Sequence, residues 1–343
     1  MTTTVHTSRE TWTKDDLRLH YDAILEAGLT ADQLAYFRRH GRFGDDIIMQ
    51  SSSGSSGQQP LLLPRSREDV LDILARMTRP HRQMWGAPDR IALLGGISHA
   101  EGALKLKMDG AEVRAFELAQ VDELIAFAPD YLSCYPSIAR VLIARHAGSF
   151  GQLKTIKLGG ERVLPADVDK IFAAFPDILI TEQLGSTELP AVAVGAYCQG
   201  ERRRLQLQID RYDFLLTDTR QWQPLIVRDR FPRRLFPVAP FYDSGDEVKV
   251  EGGYIIEVRR RDDPANVFTD NVNDLLQNGC INVQIDQGVR VVYFDGACAA
   301  VTVELQGHDY QMVAAPLHRL PHSNKLPLLT SSLQARSTED GES

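Results

Sequence analysis

The sequence predicts an α/β protein: a large N-terminal domain of layered sheets with helical crossovers, then a small α+β C-terminal domain. Three observations predict it. Between residues 61 and 180 short apolar runs alternate with stretches of helical spacing, the pattern of strands joined by helical crossovers. From about Ala191 strands and turns take over, in "LQLQID", "FLLTD", "PLIVRD" and "EVKVEGGYIIEV". After "RRRDDP" a further small group of strands follows. This sets the expected domains at 1–258 and 259–330, with a tail at 331–343 too poor in apolar residues to order itself.

Each element has its own warrant. Thr13 and Asp16 form a capping-box pair ahead of Leu17, Tyr21, Ile24 and Leu25, which recur at helical spacing until Gly28 stops the helix. A second helix is read over 30–39. Residues 47–49 and 61–63 are apolar enough for strands on either side of "SSSGSSGQQP" at 51–60. Strands at 90–94, 130–134, 155–158 and 178–180 alternate with helices at 66–77, 121–127, 137–146 and 165–175. In the small domain strands are expected at 280–285, 290–294 and 301–305.

With 343 residues the chain can bury a full core, and its 38 basic and 46 acidic residues give a net charge of −8. That balance argues against a nucleic-acid partner held through phosphate neutralisation. No apolar run approaches the roughly 20 residues that cross a bilayer, so no membrane partner is expected. Cys134, Cys198, Cys280 and Cys298 show neither CxxC spacing nor a secretory leader ahead of them, which makes the cytoplasm the expected location.

The serine loop raises the functional question. Its hydroxyls and glycines suit phosphate, yet it lacks the lysine of a GxxxxGK[ST] loop and is followed by a strand rather than a helix, which disfavours a P-loop kinase. Taken alone, such composition marks a flexible linker more often than a ligand loop. Three further stretches decide the matter: "LGGERVLP" at 158–165, "EQLGSTELP" at 182–190 and "FYDSGDEV" at 241–248.

In this order the four stretches resemble the adenylate-forming superfamily of acyl-CoA synthetases, peptide-synthetase adenylation domains and luciferases. The nearest likeness is to the phenylacetate-CoA ligase branch, which includes coenzyme F390 synthetase-like and acyl-protein synthetase-like proteins. "PDYLSCYPSIARVLIAR" and "YCQGERRRLQLQIDRYDFLL" look like its connecting segments. The chain would be an unusually short member.

The resemblance implies activation of a carboxylic acid with ATP and Mg²⁺, followed by transfer to a thiol, on CoA or a carrier protein, or to an amine. Ser52, Ser53, Gly54, Ser55, Ser56 and Gly57 would clamp the β and γ phosphates, and Gly159, Gly160 and Glu161 would line the adenine pocket. In "LGSTE", Gly185 and Ser186 belong to the nucleotide motif, Thr187 would contact the α-phosphate, and Glu188 would bind Mg²⁺. Leu184 stands where the family usually has an aromatic stacked on adenine.

Asp246 would accept hydrogen bonds from the ribose hydroxyls. In "SNK" near the C-terminus, Lys325 looks like the family's mobile catalytic lysine, the missing cation of the serine loop. In "RRRDD", Arg260 would lie near the nucleotide and Asp262 would be the pivot of a hinge. His99 either borders the substrate carboxylate or is satisfied within the fold, and Tyr135 and Pro136 fall where the branch lines its substrate tunnel. Bland readings remain for each, as solvated loop acids, a turn glycine pair, a surface lysine or a charged face. The glycine-bearing strand that guides pantetheine in CoA ligases is not recognisable, which leaves the acceptor open. The same nucleotide motifs would also serve a binding protein without ligase activity.

Overall fold

The computed structural model describes residues 11–44, 47–52, 61–95, 110–231, 234–236, 241–298, 300, 302–320 and 324–330. The chain opens with strand β1 (Thr11–Trp12) and helices α1 (Lys14–Leu19), α2 (Tyr21–Gly28) and α3 (Ala31–His40). The Thr13 capping box is present, with Thr13 N–H donating to Asp16 Oδ2 at 2.7 Å. The single helix expected across 13–28 is broken. At His20 the backbone leaves the helical region and the imidazole stacks on Trp12, centroids 4.9 Å apart, so a ring contact outcompetes helix continuation. α3 matches the helix read over 30–39, with Thr30 as its cap and Gly41 ending it in the left-handed conformation.

β2 (Ile48–Ser51) and β3 (Leu62–Arg65) form an antiparallel pair that brackets the serine loop. α4 (Arg67–Trp85) runs eight residues beyond its expected end, straight through Pro80. Burial explains the extension: Thr78 and His81 are both buried, and His81 Nδ1 lies 2.8 Å from Thr155 Oγ1.

The parallel half of the main sheet follows: β4 (Arg90–Leu94), β5 (Glu112–Phe116), α5 (Val121–Phe127), β6 (Tyr131–Cys134), α6 (Pro136–His146), β7 (Thr155–Gly159), α7 (Pro165–Ala174) and β8 (Leu179–Leu184). Its central strands are covered on both faces, so they read as apolar runs rather than alternations; Ala92, Leu158 and Ile180 are fully buried. β5 escaped the sequence reading because this edge strand is mostly exposed. The antiparallel half comprises β9 (Ala193–Tyr197), β10 (Leu205–Leu207), β11 (Tyr212–Phe214), β12 (Gln223–Asp229), β13 (Phe241–Glu251) and β14 (Tyr254–Arg260). The strand expected in "FLLTD" lies earlier, over β11, because Tyr212 is the buried anchor and its hydroxyl donates to Pro190 O.

Among the described residues the main sheet has 12 strands, ordered β11-β12-β13-β14-β10-β9-β8-β7-β6-β4-β5, with β1 beside β13. The change from parallel to antiparallel occurs between β8 and β9. α8 (Thr269–Gln277) then leads into β15 (Cys280–Asp286), β16 (Val291–Gly296), β17 (Thr302–Leu305), β18 (His308–Ala314) and β19 (Leu329–Thr330). These form a second sheet ordered β17-β18-β16-β15-β19. Its core includes Phe268, Leu276, Val283 and Tyr310, and it is continuous with Leu164 and Ala166 at the start of α7. The fold is therefore a large mixed α/β unit carrying a smaller α+β unit.

Candidate active site

The carboxyl ends of parallel strands are where an open α/β sheet forms its crevice, and several of the expected site residues come together near this edge. β7 delivers Gly159, Gly160 and Glu161 to that edge. Gly160 has φ +81°, and a Cβ there would stand 2.5 Å from Cε1 of the Tyr135 ring. Only glycine fits. Tyr135 is buried directly before Pro136, the first residue of α6.

Glu161 is a bridge. Its carboxylate accepts from Ser137 N at 3.1 Å and Ser137 Oγ at 3.0 Å, at the N-terminus of α6, and from Leu326 N at 2.7 Å. Arg319 reinforces the clasp, donating to Ser137 Oγ and to Asn324 O, both at 2.9 Å. The clasp sets Lys325 over the glycine turn, with Cε 3.6 Å from where a Gly160 Cβ would lie and Nζ 6.0 Å from the Tyr135 ring centroid. Burial pushes the Lys325 ammonium below the usual lysine range; Glu161 and Asp246 oppose this, while Lys14 and Arg260 add to it. Residues from five distant stretches thus share one electrostatic neighbourhood.

After β8, Ser186 N donates to Leu189 O at 3.0 Å and Leu189 N to Ser186 Oγ at 3.2 Å, which shapes the turn that presents Thr187 and Glu188. Thr187 Oγ1 reaches Ser51 O at 3.4 Å, joining this turn to the base of the serine loop. Ser52 closes that base, its hydroxyl accepting from Leu61 N at 2.9 Å. Leu184 packs against the core beside the antiparallel half. Ser53, Gly54, Ser55, Ser56, Gly57 and His99 lie outside the described residues.

Glu188 is only 2% exposed, and Lys14 Nζ stands 3.1 Å from its Oε1. Burial alone would raise this carboxyl, but Lys14 and the Ser186 hydroxyl outweigh it and hold the group below the usual carboxylate range. The β13–β14 register places Asp246 opposite Arg260, whose Nη1 lies 3.2 Å from Asp246 Oδ1 and 2.6 Å from Ser244 O. Burial pushes the Asp246 carboxyl up, against the pull of Arg260. Asp262 sits exposed in the turn that ends β14.

Two residues escaped the sequence reading. Lys14 looked like any charge in a first helical turn. Arg65 ends β3, and its guanidinium donates to Thr187 O at 2.6 Å and to Asp69 Oδ2 at 2.6 Å, so it fixes the backbone of the turn. No local signal marks either one.

Among the described residues no group of three metal-ligating side chains occurs, and no helix is long and apolar enough to cross a membrane. Glu188 nevertheless suits a magnesium ion, because its buried Oε1 makes no well-directed hydrogen bond and a single carboxylate suffices where phosphate oxygens and water complete the shell.

No family model matches the chain, and no curated protein matches it. Solved structures do. The anthranilate CoA ligase AuaEII, determined with anthranoyl-AMP, is 16% identical with a TM-score of 0.60, covering 86% of this chain and 68% of that one. An open conformation of 2-hydroxyisobutyryl-CoA ligase, with 2-HIB-AMP and CoA bound, is 15% identical with a TM-score of 0.54, covering 84% and 70%. The chain shares the fold of these CoA ligases. IdnL7 superposes equally well, at 16% identity and a TM-score of 0.60, covering 86% of this chain and 67% of that one. Each neighbour is longer, so the shared fold extends over about two thirds of theirs.

Proposed function

We propose that the chain is an adenylate-forming ligase that activates a carboxylic acid with ATP and passes the acyl group to a thiol, on CoA or a carrier protein. The carboxylate oxygen attacks the α-phosphorus, the bond to the β-phosphate oxygen breaks, and pyrophosphate leaves. The thiol sulfur then attacks the acyl carbonyl, loses its proton, and AMP departs. One observation carries the reading: Lys325 rests against Gly160, its charge feels Asp246, Arg260 and Lys14, and Lys14 is paired with Glu188.

In this reading Lys325 places positive charge where negative charge grows on the α-phosphate. Thr187 donates to the same phosphate. Asp246 holds the ribose, the serine loop grips the β and γ phosphates, and Gly159 to Glu161 form the adenine side of the pocket. Bound through Glu188, Mg²⁺ would neutralise phosphate charge. Leu184 offers adenine an apolar contact only. Tyr135 and Pro136, with His99, would line the way to the acyl group. The branch we favour is that of the phenylacetate-CoA ligases, on the connecting segments noted above. Residues 259–330 would rotate about Asp262 between the two half-reactions.

ATP–pyrophosphate exchange over a panel of aryl, fatty and amino acids tests the first step, and a screen of thiols and amines then tests the acceptor. Exchange that depends on one acid class supports the ligase. Binding of ATP without exchange under any acid would leave a nucleotide-binding protein instead, and acceptance of amines alone would make the enzyme an amide synthetase.

A further inference from the structure

Lys157 lies in the middle of β7, in register with Ser133 of β6 and Thr181 of β8. Paired residues of parallel strands project to the same face, so the three form a polar row across a sheet whose neighbouring residues Ile156, Leu158 and Ile180 are apolar and buried. The side chain runs along the strand toward the site. Its Nζ ends 3.4 Å from the point a Cβ would occupy on Gly159, at contact distance from the glycine turn. Gln183 is in register with Gly159, and its amide oxygen is buried without a hydrogen-bond partner among the described residues.

Among the described residues the thiol of Cys134 favours the charge of Lys157 and no carboxylate does, while burial pushes the ammonium down to about 8. A half-buried ammonium that meets no anion among those residues is a place for a ligand that supplies one. Lys325 touches the other residue of the same glycine pair. Followed through Gly159 and Gly160, whose Cα atoms are about 3.8 Å apart, these contacts keep the two lysine tips within roughly 15 Å of each other. A short acyl chain with a charge at each end fits within that span.

We propose that Lys157 recognises a second negative charge on the acid, so that the substrate class is a short dicarboxylate activated at the carboxyl group nearer Lys325. Gln183 completes the subsite beside it. This inference rests on the ligase reading of the same crevice.

The test is pyrophosphate exchange with matched pairs, glutarate against valerate and phthalate against benzoate, on the full chain and on Lys157→Met. Methionine keeps the length and removes the charge, and the thermal midpoint of the variant reports on folding. The expected result is a preference for the diacid in the parent. In Lys157→Met, kcat/KM for the diacid falls about 10- to 100-fold and the monoacid becomes the better substrate. A parent that prefers the monoacid, or a variant with an unchanged ratio, overturns the inference and leaves the ligase standing. Should no acid support exchange, the ligase reading fails, and calorimetric titration of glutarate into both proteins decides the subsite. Binding lost in Lys157→Met supports it, and equal or absent binding overturns it.

Discussion

Beneath α4 and at the carboxyl edge of the parallel strands lie two charge clusters of opposite design. In the first, Arg211 donates to Asp69 at 2.7 Å, Asp72 at 2.8 Å and Asp229 at 2.8 Å, with Arg65 and Arg234 on the flanks of the same carboxylates. Arg211 and Arg65 meet these carboxylates in fixed forks, and Arg234 stands 3.5 Å from Asp229. In the second, burial pushes the Lys325 and Lys157 ammoniums down and the Asp246 carboxyl up, the last in spite of its pair with Arg260. Perturbed groups gathered at a strand edge mark a candidate functional site. Arg65 joins the two clusters, with one arm on Asp69 and another on the carbonyl of Thr187, so the arginine-forked cluster acts as the mount for the perturbed one.

Breaking the mount should have the largest effect. Arg211→Met leaves Asp69 and Asp229 buried with one guanidinium fewer between them, and a buried pair broken on one side costs about 3–5 kcal/mol. Urea denaturation should report that loss as a lower midpoint. A loss below about 1 kcal/mol would mean that water enters the cluster and that the contrast drawn here is false.

Lys325→Ala attacks the other cluster and should do the reverse. The fold keeps its clasp, since Glu161 holds the backbone N–H of Leu326 and not the lysine side chain. Exchange activity is expected to fall about 10²- to 10³-fold, with the urea midpoint unchanged and ATP still bound. Equal activity in the variant would remove Lys325 from the reaction.

Gly160→Ala comes next in size. The added methyl meets the Tyr135 ring in a left-handed backbone conformation, for a cost of about 1–3 kcal/mol. Adding Tyr135→Ala should recover part of that loss if the ring is the obstacle. The double variant measured by thermal unfolding distinguishes ring contact from backbone strain alone.

The layers and most elements were legible in the sequence because buried parallel strands leave continuous apolar runs; the β7 run and the helices around it were found within a residue or two. Chain breaks set by rings, as at His20, were not legible, since nothing in local spacing announces that Trp12 will stack there. The site divided the same way. Motif residues with backbone tasks, such as Gly160, could be picked out by type, but Arg65 and Lys14 reach the turn at Thr187 and Glu188 across more than a hundred residues. Lys157 was hidden inside an otherwise ordinary strand, the one charged residue in "TIKLG".

The smallest expected effect is the most informative about which cluster Glu188 belongs to. Lys14 is 30% exposed, so water screens its pair with Glu188, and Lys14→Met should cost on the order of 1 kcal/mol at neutral pH. The pair lowers the folded carboxyl below its unfolded value, so its contribution is complete above the unfolded range, about pH 4.3, and is lost as pH falls through the folded value. The stability gap between parent and variant should therefore be widest near pH 7 and close only below about pH 4, where the folded Glu188 takes up a proton. Millimolar Mg²⁺ should raise the thermal midpoint of Lys14→Met more than that of the parent, because the buried carboxylate then lacks its ammonium and a hard cation can take that place. A gap independent of pH and of Mg²⁺ would make Lys14 a packing residue and would move Glu188 into the scaffold with Asp69 and Asp229.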